Sequence, residues 1–98
     1  MALPHSVRSD AQVLGDRLRR WRLVRDLSAA VVAERAGISL SSLRLIEKGD
    51  GENVRIGALL SVARVLGVNQ ELLDSVEPFN SEIGRLRADR MLRQRARP

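Results

Sequence analysis

Residues 28–49 read SAAVVAERAGISLSSLRLIEKG, and they predict two short helices joined by a tight turn. Ser28 can cap the first helix, because a serine hydroxyl accepts a hydrogen bond from a backbone N–H of the first turn. Gly37 can end that helix in the left-handed conformation, which glycine adopts without steric cost. Ser39 and Gly49 repeat this pair of signals around the second helix. The stretch is therefore predicted to be a helix-turn-helix.

The second of these helices is predicted to have two different faces. At 100° per residue, Leu43 and Ile46 share one side and are expected in the core. The other side carries Ser41, Arg44, Leu45 and Lys48. An exposed second helix in basic surroundings is how a helix-turn-helix protein enters the major groove of DNA. Leu45 has two open interpretations, a solitary surface leucine or an apolar contact to thymine methyl groups.

The rest of the chain predicts an all-α fold, because no segment shows strand-like alternation. A flexible arm, residues 1–9, precedes a first helix that starts near Ser9 or Asp10 and ends near Asp26. Leu14, Leu18 and Trp21 form its apolar stripe, and we expect Trp21 to fill the core. A fourth helix spans 56–66 and stops at Gly67. Asn69 caps a fifth helix, 70–76, which Pro78 ends. The domain thus spans residues 10–77.

Residues 78–98 form an arginine-rich tail with two open structural interpretations. It is either a sixth helix, from Ser81 to about Arg95, or a segment that orders only on binding. The chain of 98 residues has a net charge of +5. Most of this surplus lies in the tail, whose arginines are Arg85, Arg87, Arg90, Arg93, Arg95 and Arg97. A basic balance favours polyanionic partners.

Composition excludes several classes of function. The chain has no cysteine, so it can form neither a disulfide nor a thiolate metal site. Its single histidine, His5, lies in the predicted arm. No apolar run approaches the roughly 20 residues that cross a bilayer, and the cytoplasm is the expected location. With no nucleophile–base pair and no phosphate-binding glycine loop, we expect no enzyme, no cofactor and no metal site.

The pattern LGDRLRRWRLVRDLSAAVVAERAGISLSSLRLIEKG, followed by LLSVARVLGV, resembles the lambda-repressor/Cro (XRE) helix-turn-helix superfamily over about residues 13–77. The resemblance implies a five-helix bundle, here with a basic tail or an extra helix. It also implies a homodimer that binds palindromic double-stranded DNA and represses its own operon. Three positions depart from the family pattern. They are Asp26, where many members have glycine, Ala29, where many have glutamine, and Arg55, in place of a serine-like cap.

The resemblance assigns a role to individual side chains. The base-facing positions are Ser39, Leu40, Ser41, Arg44 and Leu45. The phosphate-facing positions are Ser28, Ser42, Lys48 and Arg55, and Arg25 of the arginine-rich first helix is expected to join them. Arg22 and Glu47 match an ion pair that links the first and third helices. Arg44 is the candidate for a bidentate contact to guanine, with a phosphate contact as the alternative.

Several functional interpretations remain open within this family. The phrase NVRIGALLSVARVLGV and the arginine-rich tail resemble HipB-like antitoxins, the partners of HipA-type toxin kinases. A phage-type repressor or a restriction-system controller is the alternative. A different class is a protein-interaction module, which would gain support if Asp50 and Glu52 neutralised the basic face. The tail itself either follows the DNA backbone, orders on a protein partner, or is a neutral solvated end.

Overall fold

The computed structural model describes residues 2–96, with the side chains of residues 2–93, and these residues form an all-α fold without strands. The prediction of fold class is confirmed. No helix within the described range is long and apolar enough to span a bilayer. The helices are α1 (His5–Val24), α2 (Ala29–Ala36), α3 (Leu40–Lys48), α4 (Ile56–Leu66), α5 (Asn69–Ser75), α6 (Glu82–Leu86) and α7 (Ala88–Ala96), with a 3-10 turn at Pro78–Asn80 between α5 and α6.

The ends of α2 and α3 are where the capping residues predict them. The Ser28 hydroxyl accepts a hydrogen bond from the Val31 backbone N–H at 3.1 Å. The Ser39 hydroxyl does the same for Ser42. Gly37 and Gly49 follow the two helices in the left-handed conformation, with φ of 70° and 80°. The predicted bounds of α4 and its stop at Gly67 are also confirmed.

Helices α1 to α4 enclose one apolar core. Helix α2 packs against both α3 and α4, and α1 packs against α3. Leu43 and Ile46 face inward, as predicted for α3, while Val32 and Ala33 contribute from α2. The buried core as a whole consists of Leu18, Val32, Ala33, Leu43, Ile46, Val62, Ala63 and Leu66.

Two glycines let α1 lie directly against the C-terminal end of α3. A Cβ atom on Gly15 would overlap the backbone carbonyl oxygen of Ile46. A Cβ atom on Gly49 would overlap the backbone of Gln12. Because backbone meets backbone at both points, neither neighbour can move aside by changing a rotamer. The orientation of α3 therefore depends on this contact with α1.

Two sequence predictions about α1 are wrong. The helix begins at His5 rather than at Ser9 or Asp10. Pro4 precedes it with a φ of −57°, and proline suits a helix start because the backbone N–H that it lacks would have no partner within the helix. Trp21 is not in the core, since its side chain is 43% exposed. Arg22 takes the inward position instead, and Trp21 lies on the flank of the helix.

The C-terminal third also differs from the sequence prediction. Asn69 is the first residue of α5 and does not cap it, since the preceding Val68 occupies the cap position. The tail forms two short helices rather than one, with a break at Arg87. The Ser81 hydroxyl caps α6 by accepting from the Gly84 N–H at 3.0 Å. Arg97 lies outside the described residues.

Candidate nucleic-acid interface

One face of α3 is open to solvent and the opposite face is buried. Ser39, Leu40, Ser41, Arg44 and Lys48 are exposed, and Ser42 and Leu45 are half-buried. The five side chains predicted to face bases thus lie on, or at the edge of, one continuous surface. Leu40 and Leu45 give this surface apolar area beside two cations. Such a mixture fits a DNA groove, where base edges offer both acceptors and methyl groups.

Three serine hydroxyls gather at the N-terminus of α3. The Ser39 Oγ lies 2.8 Å from the Ser42 Oγ and 3.2 Å from the Ser41 Oγ. Since Ser39 also accepts the capping hydrogen bond from Ser42, most of its hydrogen-bonding capacity is used within the helix. Ser41 is exposed and keeps the most capacity for an outside partner. Among the three, Ser41 is therefore the best placed to contact a base.

The basic groups near α3 are not neutralised by acidic neighbours. Arg44 and Lys48 are exposed one turn apart on α3, and Arg55 is exposed just before α4. Within the side chains of residues 2–93, none of these three takes part in an ion pair. Their positive charge is therefore available to an external anion.

The two acidic residues after α3 are occupied by local hydrogen bonds. The Asn53 amide nitrogen donates to both carboxylate oxygens of Asp50, at 3.1 and 3.0 Å. The Leu3 backbone N–H donates to Glu52 at 3.1 Å. These partners hold both carboxylates against their own chain. Within the described residues, neither Asp50 nor Glu52 forms an ion pair with the basic residues of this face. The protein-interaction module therefore gains no support from such a pair.

Arg25 lies beside Trp21 and the C-terminal end of α4. Its guanidinium carbon is 5.5 Å from the centre of the Trp21 ring, a cation–π distance. It also lies against Gly67, so it meets the negative end of the α4 dipole. Arg55 precedes the other end of this 11-residue helix, about 18 Å from Gly67 at 1.5 Å per residue. Trp21 and Arg25 are four residues apart, a spacing that brings side chains together on one face of a helix, so the sequence contained a signal for this contact.

The predicted ion pair between α1 and α3 is present and bidentate. The Arg22 Nε donates to Glu47 Oε2 at 2.7 Å, and its Nη2 donates to Glu47 Oε1 at 3.0 Å. The Arg22 Nη1 also donates to the Leu27 carbonyl oxygen at 3.1 Å. The hydrogen bond that Arg22 donates to the Glu47 carboxylate raises the pKa of Arg22 above its usual value. This pair ties α3 to α1 and to the turn before α2.

These observations agree with the comparison to known families. A family model described as a helix-turn-helix domain matches residues 13–76, more than half of the chain. The chain belongs to this helix-turn-helix family. Membership indicates a DNA-binding regulator, with DNA as the partner that the motif fits. No curated protein and no solved structure matches the chain.

The helix-turn-helix match ends before the 3-10 turn, so it does not include the tail arginines. Arg85 donates from Nη1 to the Phe79 carbonyl oxygen at 2.9 Å, which ties α6 to the turn. Arg93 pairs with Asp89 one turn away on α7. Arg87 and Arg90 are exposed. The side chain of Arg95 and all of Arg97 lie beyond what the structure describes.

Proposed function

We propose that this protein is a sequence-specific, homodimeric transcriptional repressor of the XRE type that acts on its own operon. The observation that carries the proposal is the exposed face of α3, where Arg44 and Lys48 lie beside Ser41 and the two leucines and form no ion pair with any side chain that the structure describes. The proposed role involves no catalysis. Repression follows from occupancy of the operator, which excludes other proteins from the same DNA.

In this proposal α3 lies in the major groove and reads base edges. A helix of nine residues is about 14 Å long, which limits what one copy can contact. Arg44 would donate to a guanine, and the apolar side chains Leu40 and Leu45 would meet thymine methyl groups. Ser28, Lys48 and Arg55 would hold the phosphate backbone. Two copies on a palindrome double these contacts, which is the physical reason for a dimer.

The direct test is binding of the purified protein to the DNA upstream of its own coding sequence. We expect a discrete complex in an electrophoretic mobility shift, at least about 10³-fold tighter than with an unrelated duplex of equal length. The footprint should show two related half-sites centred about one helical turn apart. Equal affinity for both duplexes at every salt concentration would contradict the proposal.

Arg44→Ala is expected to lower operator affinity and to relax base preference at one position of each half-site. A lost bidentate guanine contact should cost about 1–3 kcal/mol, or roughly 5- to 150-fold in affinity. Arg64→Ala on α4 is the matched control, because it removes the same charge from an exposed residue outside α3. Affinity should be compared across single-base operator variants. A uniform loss over all variants would assign Arg44 to a phosphate instead.

An antitoxin role is a second candidate, and it rests on one observation. Residues 53–68, NVRIGALLSVARVLGV, resemble HipB-like antitoxins. In that case a HipA-type toxin kinase would be a further partner. Co-expression with a kinase-like protein encoded beside this gene, followed by co-purification, tests the idea. A neighbouring kinase that neither associates with this chain nor is neutralised by it would contradict the antitoxin role.

A further inference from the structure

Helices α6 and α7, called here the basic arm (residues 82–96), extend from the helical body. Within the described residues, α6 packs mainly on the 3-10 turn, and α7 makes no extensive contact with another element. The radius of gyration is 16.3 Å, whereas a compact chain of this length has about 13 Å. The arm nevertheless has apolar side chains that ordinarily need a partner. Ile83, Leu86 and Leu92 are all more than 60% exposed.

A second surface next to the arm has the opposite charge. Helix α5 and the 3-10 turn, residues 69–80, form what we call the acidic surface. It contains Glu71, Asp74 and Glu77 and no basic residue, whereas the basic arm has five arginines and two acidic residues. Leu73, Val76 and Phe79 expose about half or more of their area on it. The two surfaces are therefore complementary both in charge and in apolar area.

Contacts with the 3-10 turn hold the arm away from α5 of its own chain. The Asn80 amide nitrogen donates to the Asp74 carbonyl oxygen at 2.9 Å, and the Ser81 hydroxyl donates to the Pro78 carbonyl oxygen at 3.0 Å. Arg85 adds its hydrogen bond to Phe79. Gly84 packs so closely that a Cβ atom would overlap the Pro78 carbonyl oxygen. Folding the arm back onto its own α5 would break this junction.

We propose that the basic arm docks on the acidic surface of a second copy of this chain and so forms the dimer interface. The inference rests on the homodimer of the proposed function and names the surfaces that build it. In a two-fold dimer the contact occurs twice, because each copy gives one arm and receives one. Leu86 and its apolar neighbours cover Leu73 and Val76, and the arginines face the carboxylates. Long charged side chains at the rim make the association dependent on salt.

Paired charge reversals test this arrangement without touching α3. One variant is Glu71→Arg with Glu77→Arg, and the other is Arg87→Glu with Arg90→Glu. All four side chains are exposed and take no part in a described ion pair. We expect the unmodified chain to have twice its mass of 10.9 kDa in sedimentation equilibrium without DNA. Each variant alone should associate at least tenfold more weakly, with an unchanged helical circular dichroism spectrum.

Mixing the two variants should restore a 1:1 heterodimer of nearly native affinity. In that pair, the unchanged arm of one chain meets the unchanged acidic surface of the other, and the reversed arm meets the reversed surface. Because the two reversals cancel, the heterodimer has the same net charge as the native dimer. Its operator binding should therefore show the native salt dependence.

Three results would overturn the inference. They are a native chain that is monomeric at 100 micromolar, variants that dimerise as well as the native chain, and variants that do not associate when mixed. A heterodimer whose salt slope is much smaller than the native slope would place the arm on DNA instead. A native dimer that ignores DNA would leave the interface standing and remove only the proposed function.

Discussion

Gly49→Ala is expected to destabilise the protein by about 2–5 kcal/mol, one of the two largest effects that we predict for a single substitution. Two costs add at this position. Gly49 has a φ of 80°, a left-handed conformation that costs other residues about 1–2 kcal/mol. The new methyl group would also overlap the Gln12 backbone, and overpacking of this kind costs about 1–3 kcal/mol more. The measurement is urea denaturation monitored by circular dichroism.

Gly37→Ala is the matched control for this prediction. Gly37 has a similar φ of 70°, but a Cβ atom there would meet no atom of the described residues within 4 Å. The Gly37→Ala variant should therefore lose only the part of the stability that comes from the left-handed conformation, about 1–2 kcal/mol. The difference between the two variants measures the packing of α1 against the end of α3. Equal losses would contradict the close contact between these elements.

Gly57→Ala completes the series as a substitution without cost. This glycine lies in the first turn of α4, with open space around it and no positive φ. Alanine is the better helix former, so the free energy of unfolding should stay level or rise by about 0.4–1 kcal/mol. A clear loss of stability in this variant would contradict the open space that the structure shows around Gly57.

The parts of the fold that sequence predicted are those governed by short-range chemistry. The ends of α2 and α3 could be predicted because each depends on a hydrogen bond or a backbone conformation within one turn. The residues concerned are Ser28, Ser39, Gly37 and Gly49. The two faces of α3 followed from helical geometry alone. Such features need no knowledge of what packs against the helix.

The wrong predictions concern choices that tertiary packing makes. Trp21 and Arg22 are neighbours, and hydrophobicity favoured burying the tryptophan. The structure instead places Arg22 inward, because its guanidinium donates hydrogen bonds there to the Glu47 carboxylate and to the Leu27 carbonyl oxygen. Asn69 has the chemistry of a cap, but Val68 holds that place. The position of Arg25 beside Trp21 and the C-terminal end of α4 also depends on packing between helices, and its phosphate contact stays a prediction.

Glu47→Ala is expected to cost about 2–4 kcal/mol of stability, since it leaves the Arg22 guanidinium partly buried without its acceptor. Both side chains of this pair are only 12% exposed. Asp16→Ala is the matched control, because the Arg20–Asp16 pair has a similar length of 3.0 Å but is mostly exposed. That variant should lose about 0.2–1 kcal/mol. Similar losses in thermal denaturation would show that burial does not set the difference.

The double variant Arg22→Met with Glu47→Leu separates the cost of an orphaned charge from the value of the pair. Apolar side chains of similar size should recover much of the stability, because neither charge is then desolvated. The recovered protein would still lack the bidentate link that orients α3 against α1. We therefore expect operator affinity to remain reduced while stability returns. If both return together, the pair does not position α3, and Gly15 and Gly49 alone set its direction.

The pH dependence of the pair follows from the raised pKa of Arg22. A cation whose folded-state pKa is raised stabilises the protein fully below its unfolded pKa, and that stability is lost as pH rises through the folded value. For Arg22 this window begins only above the usual pKa of an arginine side chain. Its contribution should thus be constant from pH 5 to pH 9. We therefore expect Arg22 to contribute the same stabilisation at pH 5 and at pH 9. The measurement is the free energy of unfolding of the native chain and of Arg22→Met at these two pH values.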